Sequence, residues 1–331
     1  MIVRRSLAAV FAAVLLASCD RIQSLLPQPE FDGAYAVIEA DQSAIVSDHL
    51  EQMSEQGAQV LRAAGVSYVG RGVSDGVLRF RLERAAQTQR ALEALAPISG
   101  HLVVSALPDG VIEARVDDAY VDSLAASATE QAVEIVRRRV ARMRPPVLVE
   151  PHGPSQIIVR TTQPEMPPML LMAVTQRGQI AFHIVREVSP EALGRLPAGT
   201  MLAPPFLPGA QQEVVERRPR LVGHIASANP STDVQTGQFV LSFQFDAEGA
   251  RAFCSITTAH TGERFAILLD GRVVTAPTIN ERICGGSGQI SGNFTAESAN
   301  ELAIVLRAGA LPLPFNLLAE GVGAPPTPPT P

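Results

Sequence analysis

The chain has 331 residues, enough for two or three units with real cores, and 46% of them are apolar, so it is globular rather than disordered. Its net charge is −6, and removing residues 1–18, which hold Arg4 and Arg5 and no acid, makes it −8. That balance argues against nucleic acid as a partner. Every basic residue is Arg, so chemistry that needs a Lys nucleophile or Schiff base is excluded.

The first residues read as a targeting segment. Arg4 and Arg5 precede an apolar stretch, Leu7 to Ala17, which is short for a membrane span of roughly 20 residues. Leu16-Ala17-Ser18-Cys19 follows. It resembles the lipobox of bacterial lipoproteins, which implies cleavage before Cys19 and a lipid on its sulfur. A plain signal peptide or an uncleaved anchor is the alternative reading. Residues 1–18 are thus expected to be the signal and 19–32 a tether reaching at most roughly 45 Å.

From Tyr35 the periodicity predicts a βαββαβ unit over 33–108. Its parts are a strand at 35–40, a helix at 47–64 capped by Ser47, strands at 66–71 and 77–82, a helix at 85–95 and a strand at 101–106. A second such unit is expected over 109–186: strand 111–116, helix 118–143, strands 147–151 and 156–161, helix 165–176 and strand 179–186. The fold class is therefore α+β, with ferredoxin-like units whose antiparallel sheets carry helices on one face.

A further α+β segment is expected over 187–293. It opens with a Pro-rich stretch, 190–219. Strand 238–245 places Phe239, Phe243 and Phe245 on one face, as sheet core or as an apolar binding wall. Asp246 can cap the helix that begins at Ala247. Asp270-Gly271 between β-rich runs signals a two-residue hairpin. Gly285-Gly286-Ser287-Gly288 reads as a loop. Thr295 can cap a helix with Ala299, Leu302 and Leu306 on its inner face, stopped by Gly309 and Pro312. Residues 323–331 form a Pro-rich tail. Cys254 and Cys284 either pair, closing a loop of about 30 residues, or lie buried as thiols.

No catalytic motif stands out. His-Glu-x-x-His, Gly-x-Ser-x-Gly and Gly-Lys-Ser/Thr are missing, and the six His are scattered, so no metal, no cofactor and no enzyme activity are expected. His183 reads as a core histidine. The Arg137–Arg144 cluster reads as a solvated face at a helix C-terminus, with acidic lipid or a client chain as the alternatives.

The wording of several segments resembles the first large periplasmic domain of the SecD/SecDF protein-export family. The residues that carry it are 264–312, then Val214 to Pro219, Phe243 to Ala250, Gln131 to Val140, Ile157 to Arg160 and Ile180 to Val185. The resemblance implies that 109–186 form a base, that 187–293 are an inserted head and that 294–322 return to the base; the first unit resembles the extra segment of Gram-negative SecD proteins. Phe31-Asp32-Gly33 departs from the family, which has a longer Gly-Leu-Asp-Leu-x-Gly-Gly there. The resemblance implies a module on the periplasmic side of the bacterial inner membrane that assists Sec-dependent translocation, and the lipobox-like Leu16-Ala17-Ser18-Cys19 implies that a lipid anchors it there. Its implied partners are unfolded secretory proteins, SecD/SecF and the Sec translocon. Without membrane helices it would be no proton-driven pump by itself. The other reading is an envelope scaffold lipoprotein that keeps the fold and lacks an export role.

Overall fold

The computed structural model describes residues 32–188, 196–206 and 211–328. Cys19 and the apolar stretch Leu7 to Ala17 lie outside the described residues. The class is α+β, with antiparallel sheets throughout.

The base sheet has the order β17-β1-β7-β6, formed by Phe315–Val322, Ala34–Ala40, Gln156–Thr161 and Val147–Pro151. Helix α3 (Asp118–Val140) enters β6, and α4 (Pro168–Thr175) follows β7. Taken in chain order, β1-α3-β6-β7-α4-β17 is a ferredoxin-like unit with strand order 4-1-3-2. Between β1 and α3 sits a second unit. It contains α1 (Gln42–Ala63), β2 (Tyr68–Ser74), β3 (Val77–Leu82), α2 (Thr88–Leu95), β4 (Leu102–Ala106) and β5 (Val111–Val116), with sheet order β2-β3-β5-β4.

The expected tandem units have therefore exchanged strands. β1, expected to open the first unit, pairs with β17 and β7 in the base. β5, expected to open the second, pairs with β3 and β4. Apolar alternation says which face of a strand is buried and nothing about its partner. The two units share one core. Leu50 and Leu61 on α1 and Phe80 on β3 join Val133 and Val136 on α3 and Ile157 on β7.

Capping chemistry sets the helix ends. α1 starts five residues earlier than expected because Asp41, not Ser47, caps it, accepting from Ser43 N at 3.0 Å and Ala44 N at 3.3 Å. Asp117 caps α3 through Tyr120 N at 3.1 Å, and Arg137, Arg138 and Arg139 fill its last turn.

The head core lies between two sheets. One has the order β11-β8-β14-β15, from Leu221–Val222, Ile180–Ile184, Phe265–Leu269 and Arg272–Thr275. The expectation that 179–186 closes the base sheet is thus corrected: β8 is a head strand, and β17 supplies the fourth base strand. The other sheet is β12-β13-β16, from Ile225–Thr232, Phe239–Phe245 and Ser287–Phe294. A two-stranded ribbon, β9 (Thr200–Ala203) with β10 (Glu213–Glu216), adjoins the first sheet through Val185 and Val215. The β14–β15 turn holds Asp270 at φ 50° and Gly271 at φ 76°, the two positive values its Asp-Gly sequence predicts.

Two helices complete the head. Asp246 caps α5 (Ala247–Ala259) by accepting from Gly249 N at 2.8 Å. Thr295 and Ser298 cap α6 (Ala296–Ala308) reciprocally, at 3.1 and 2.9 Å. Helix α6 buries Ala299, Leu302 and Leu306 in the head core and also packs against α3 and α4 of the base.

Candidate functional site

The Phe residues of the head form its interior. Phe182 at the middle of β8 lies 5.5–6.3 Å, centroid to centroid, from Phe243, Phe245, Phe253 and Phe265. Aromatic pairs at this spacing add about 0.5–1.5 kcal/mol each beyond their burial. Phe243 and Phe245 are therefore core, and only Phe239, at the strand start and 38% exposed, reaches solvent. A client-binding wall of three Phe rings is not present in this arrangement.

What the head exposes instead is the opposite face of the same sheet. The register sets Ser227 beside Gln244 and Ser287, Asn229 beside Ser242 and Gln289, and Ser231 beside Val240 and Ser291. Opposed residues share a face. Eight of these nine side chains are hydroxyls or carboxamides, and none is charged. Six of them, Ser227, Asn229, Ser242, Gln244, Ser287 and Gln289, line a shallow cleft of about 350 Å³. The outer edge of β16 pairs with no strand among the described residues.

Residues 287–288 belong to this strand, not to the expected Gly-rich loop. Gly288 faces Phe243, and a Cβ there would lie 2.7 Å from the ring's Cζ. The glycine makes room for the core ring. Upstream, Cys254 on α5 and Cys284 form a disulfide with Cα atoms 4.4 Å apart. Thr257 Oγ1 accepts from Ile283 N at 2.9 Å beside it. The segment leading into β16 is thus fixed to α5.

The ribbon is tied to the β8 end by ions. Glu216 accepts from Arg186 at 2.5 Å and from Arg220 at 2.6 Å, and Arg264 meets Glu213 at 2.6 Å. Burial raises the Glu216 carboxyl, but the Arg186 hydrogen bond and the Arg220 charge outweigh it and hold it below the usual range. His183 is buried, and its Nδ1 lies 2.7 Å from Glu216 O, so the neutral ring donates there. Desolvation holds it below the ordinary histidine value.

Head and base meet at Arg139. Its guanidinium, 2% exposed, donates to Ala173 O and Gln176 O at 2.8 and 2.6 Å and to Arg177 O and Gly309 O, both at 2.9 Å. Burial lowers it to about 10, opposed by the charge of Asp270, so it stays cationic at neutral pH. Asp270 accepts from Gln179 N at 2.7 Å and Gly178 N at 3.0 Å. Both chain crossings between base and head, at 176–179 and 309–312, are held by this pair. Sequence reading placed Arg139 in a solvated cluster. Its burial follows from the neighbouring helix ends, whose unpaired carbonyls need a donor.

Among the described residues no three His, Cys, Asp or Glu side chains gather as a metal site, and no helix is long and apolar enough to cross a membrane. The exposed sheet face offers hydrogen-bonding groups.

These features define a two-part α+β scaffold: a ferredoxin-like base carrying a head. The family model described as "SecDF, P1 head subdomain" matches residues 204–313. Protein translocase subunit SecD of Rickettsia bellii is 30% identical over 293 residues, covering 87% of this chain and 56% of that protein. SecD of Rhodobacter capsulatus is 31% identical over 305 residues, covering 87% and 54%. A solved structure of SecDF, a membrane component that enhances protein export, is 30% identical; the match covers 59% of this chain and 92% of that one, with a TM-score of 0.47. The chain belongs to the SecD/SecDF protein-export family, in the part that forms the first periplasmic domain, base plus head. It spans about half the length of the SecD relatives it matches.

Proposed function

We propose that this chain assists Sec-dependent protein translocation without catalysing a reaction, its head holding unfolded segments of secretory proteins on the outer face of the β12-β13-β16 sheet. One observation carries the reading: the family match at residues 204–313 coincides with an open sheet face that is uncharged and made of hydroxyls and carboxamides. An unfolded chain presents repeated peptide groups and no fixed side-chain pattern. Ser, Asn and Gln donate and accept, so they serve such a chain in any register. Each such bond contributes about 1 kcal/mol net, which suits brief holding and release. The unpaired edge of β16 adds main-chain groups for strand addition.

The setting we assign is the periplasmic side of the inner membrane, with a lipid at Cys19 as anchor and SecD/SecF and the translocon as partners. The Cys254–Cys284 disulfide supports an oxidising compartment. A photoreactive residue placed at Gln289 tests the client reading in cells in which a secretory precursor is slowed in transit. The expected result is a crosslink to the precursor from Gln289 and none from Glu130, exposed on α3. Equal yields at both positions would overturn it and leave the envelope-scaffold reading standing.

A further inference from the structure

We propose that the cleft between α3, α4 and α6 is a docking site for the anionic head groups of a phospholipid bilayer. The cleft has a volume of about 550 Å³. Its charged lining is Arg138 and Arg142 from the end of α3 and Arg307 from the last turn of α6, with Arg139 at its floor. No acidic residue lines it. Arg138, Arg142 and Arg307 are exposed and make no ion pair among the described residues, in contrast to Arg137, which is paired with Glu134 at 2.7 Å. Arg139 is buried, and its Nε has no partner, although its two Nη atoms are fully engaged. Met143, Met169 and Ile304 supply an apolar wall beside these cations.

Such a lining is poorly suited to solvent alone. Three guanidiniums without an acidic partner among the described residues repel one another, and at the α6 end Arg139 already donates to the Gly309 carbonyl. The surplus positive charge therefore calls for an external anion. Apolar side chains alongside fit an amphiphile rather than a free inorganic ion.

The topology says which surface is near. Ala34 pairs with Val322, so both ends of the base leave from one edge of the sheet. Tyr35 pairs with Arg160 and Val147 with Thr161, so the start of β6 and the end of β7 lie at that same edge. The end of α3 leads into the first of these and α4 follows the second. The α3 side of the cleft, with Arg138 and Arg142, thus lies toward the end of the sheet from which the chain runs back through 19–32, at most roughly 45 Å, to the apolar stretch Leu7 to Ala17, whereas α6 leads into β17 at Phe315, opposite Ala40. A basic cluster tethered within that reach can approach an anionic lipid surface, which attracts it over about a Debye length. This inference rests on the membrane setting assigned above but not on the client-binding reading, because it uses another face and another ligand.

Vesicle flotation of the full chain tests it, comparing phosphatidylcholine alone with phosphatidylcholine mixed with phosphatidylglycerol. Any anchor in the first residues contributes equally to both, so the readout is the ratio. Each guanidinium near an anionic surface contributes about fivefold in affinity, so Arg138→Gln, Arg142→Gln and Arg307→Gln together should lower the ratio about 100-fold. The corresponding three Lys substitutions should keep most of it, and about 1 M salt should abolish it. All three residues are exposed, and the circular dichroism of the Gln variant confirms its folding. A ratio near one for the unaltered chain would overturn the proposal. So would a preference that the Gln variant retains, or one that inorganic phosphate removes at constant ionic strength.

Discussion

Arg139 Nη2 donates to Gly309 O at 2.9 Å, linking the last helix of the base's first half to the point where the chain returns from the head. The same group holds Arg177 O, on the outgoing crossing, at the same distance. One planar cation therefore fixes both crossings. Replacing it with Leu leaves four carbonyls short of a donor in a dry site, and we expect a loss of about 3–5 kcal/mol. Lys keeps the charge but cannot present a fork to four acceptors, so it should recover less than half of that. Urea titration of both variants at neutral pH checks the order.

The disulfide gives a second expectation. It closes a loop of 30 positions, for which chain entropy gives about 3.5 kcal/mol. Cys254→Ala with Cys284→Ala should lower stability by about that amount. It should also raise hydrogen exchange in residues 283–290, because the entry to β16 loses its covalent tie to α5. Unchanged exchange there would show that the Thr257 bond to Ile283 N holds the segment unaided.

Gly288 supplies a third test, one that bears directly on the exposed face. An alanine Cβ at that position meets Phe243, whose ring is already enclosed by Phe182 and Phe245. Overpacking of this kind costs about 1–3 kcal/mol. Gly285, three residues earlier, has open space around it, so its alanine variant should stay within about 0.5 kcal/mol of the parent. Pairing Gly288→Ala with Phe243→Leu should recover part of the loss, and a double-mutant cycle measures the coupling.

Local chemistry was readable without coordinates. Asp270-Gly271, the Thr295 cap and the buried Ala299, Leu302 and Leu306 all follow from short-range rules, and the structure bears them out. Partnership was not readable. β1 and β5 carry similar apolar patterns, and nothing in either says that β1 pairs with a strand some 280 residues away. The polar face of the head left a faint trace, the alternating Ser227, Asn229, Ser231 and Ser287, Gln289, Ser291. It takes the register to show that the two rows flank Ser242 and Gln244. Arg139 looked like its neighbours Arg137 and Arg138 because the carbonyls that bury it come from α4 and the end of α6.

His183 makes stability depend on pH. In the folded chain the ring is enclosed, and desolvation depresses its basicity; the hydrogen bond to Glu216 O and the Glu216 charge act in the opposite sense and do not restore it. In the unfolded chain it titrates near 6.5. Below that value the unfolded state binds the proton more readily, so the contribution is complete above 6.5 and is lost as pH falls toward the folded value. The slope from this one group cannot exceed about 1.4 kcal/mol per pH unit. His49, lowered by burial and by the nearby His101 charge, adds a slope of the same sign. His183→Asn keeps a donor for Glu216 O and removes the titration. Urea midpoints measured between about pH 7 and pH 5 should therefore fall less steeply for the variant than for the parent chain. Parallel curves would mean that water reaches the His183 ring and that the histidine is protonated without disturbing β8.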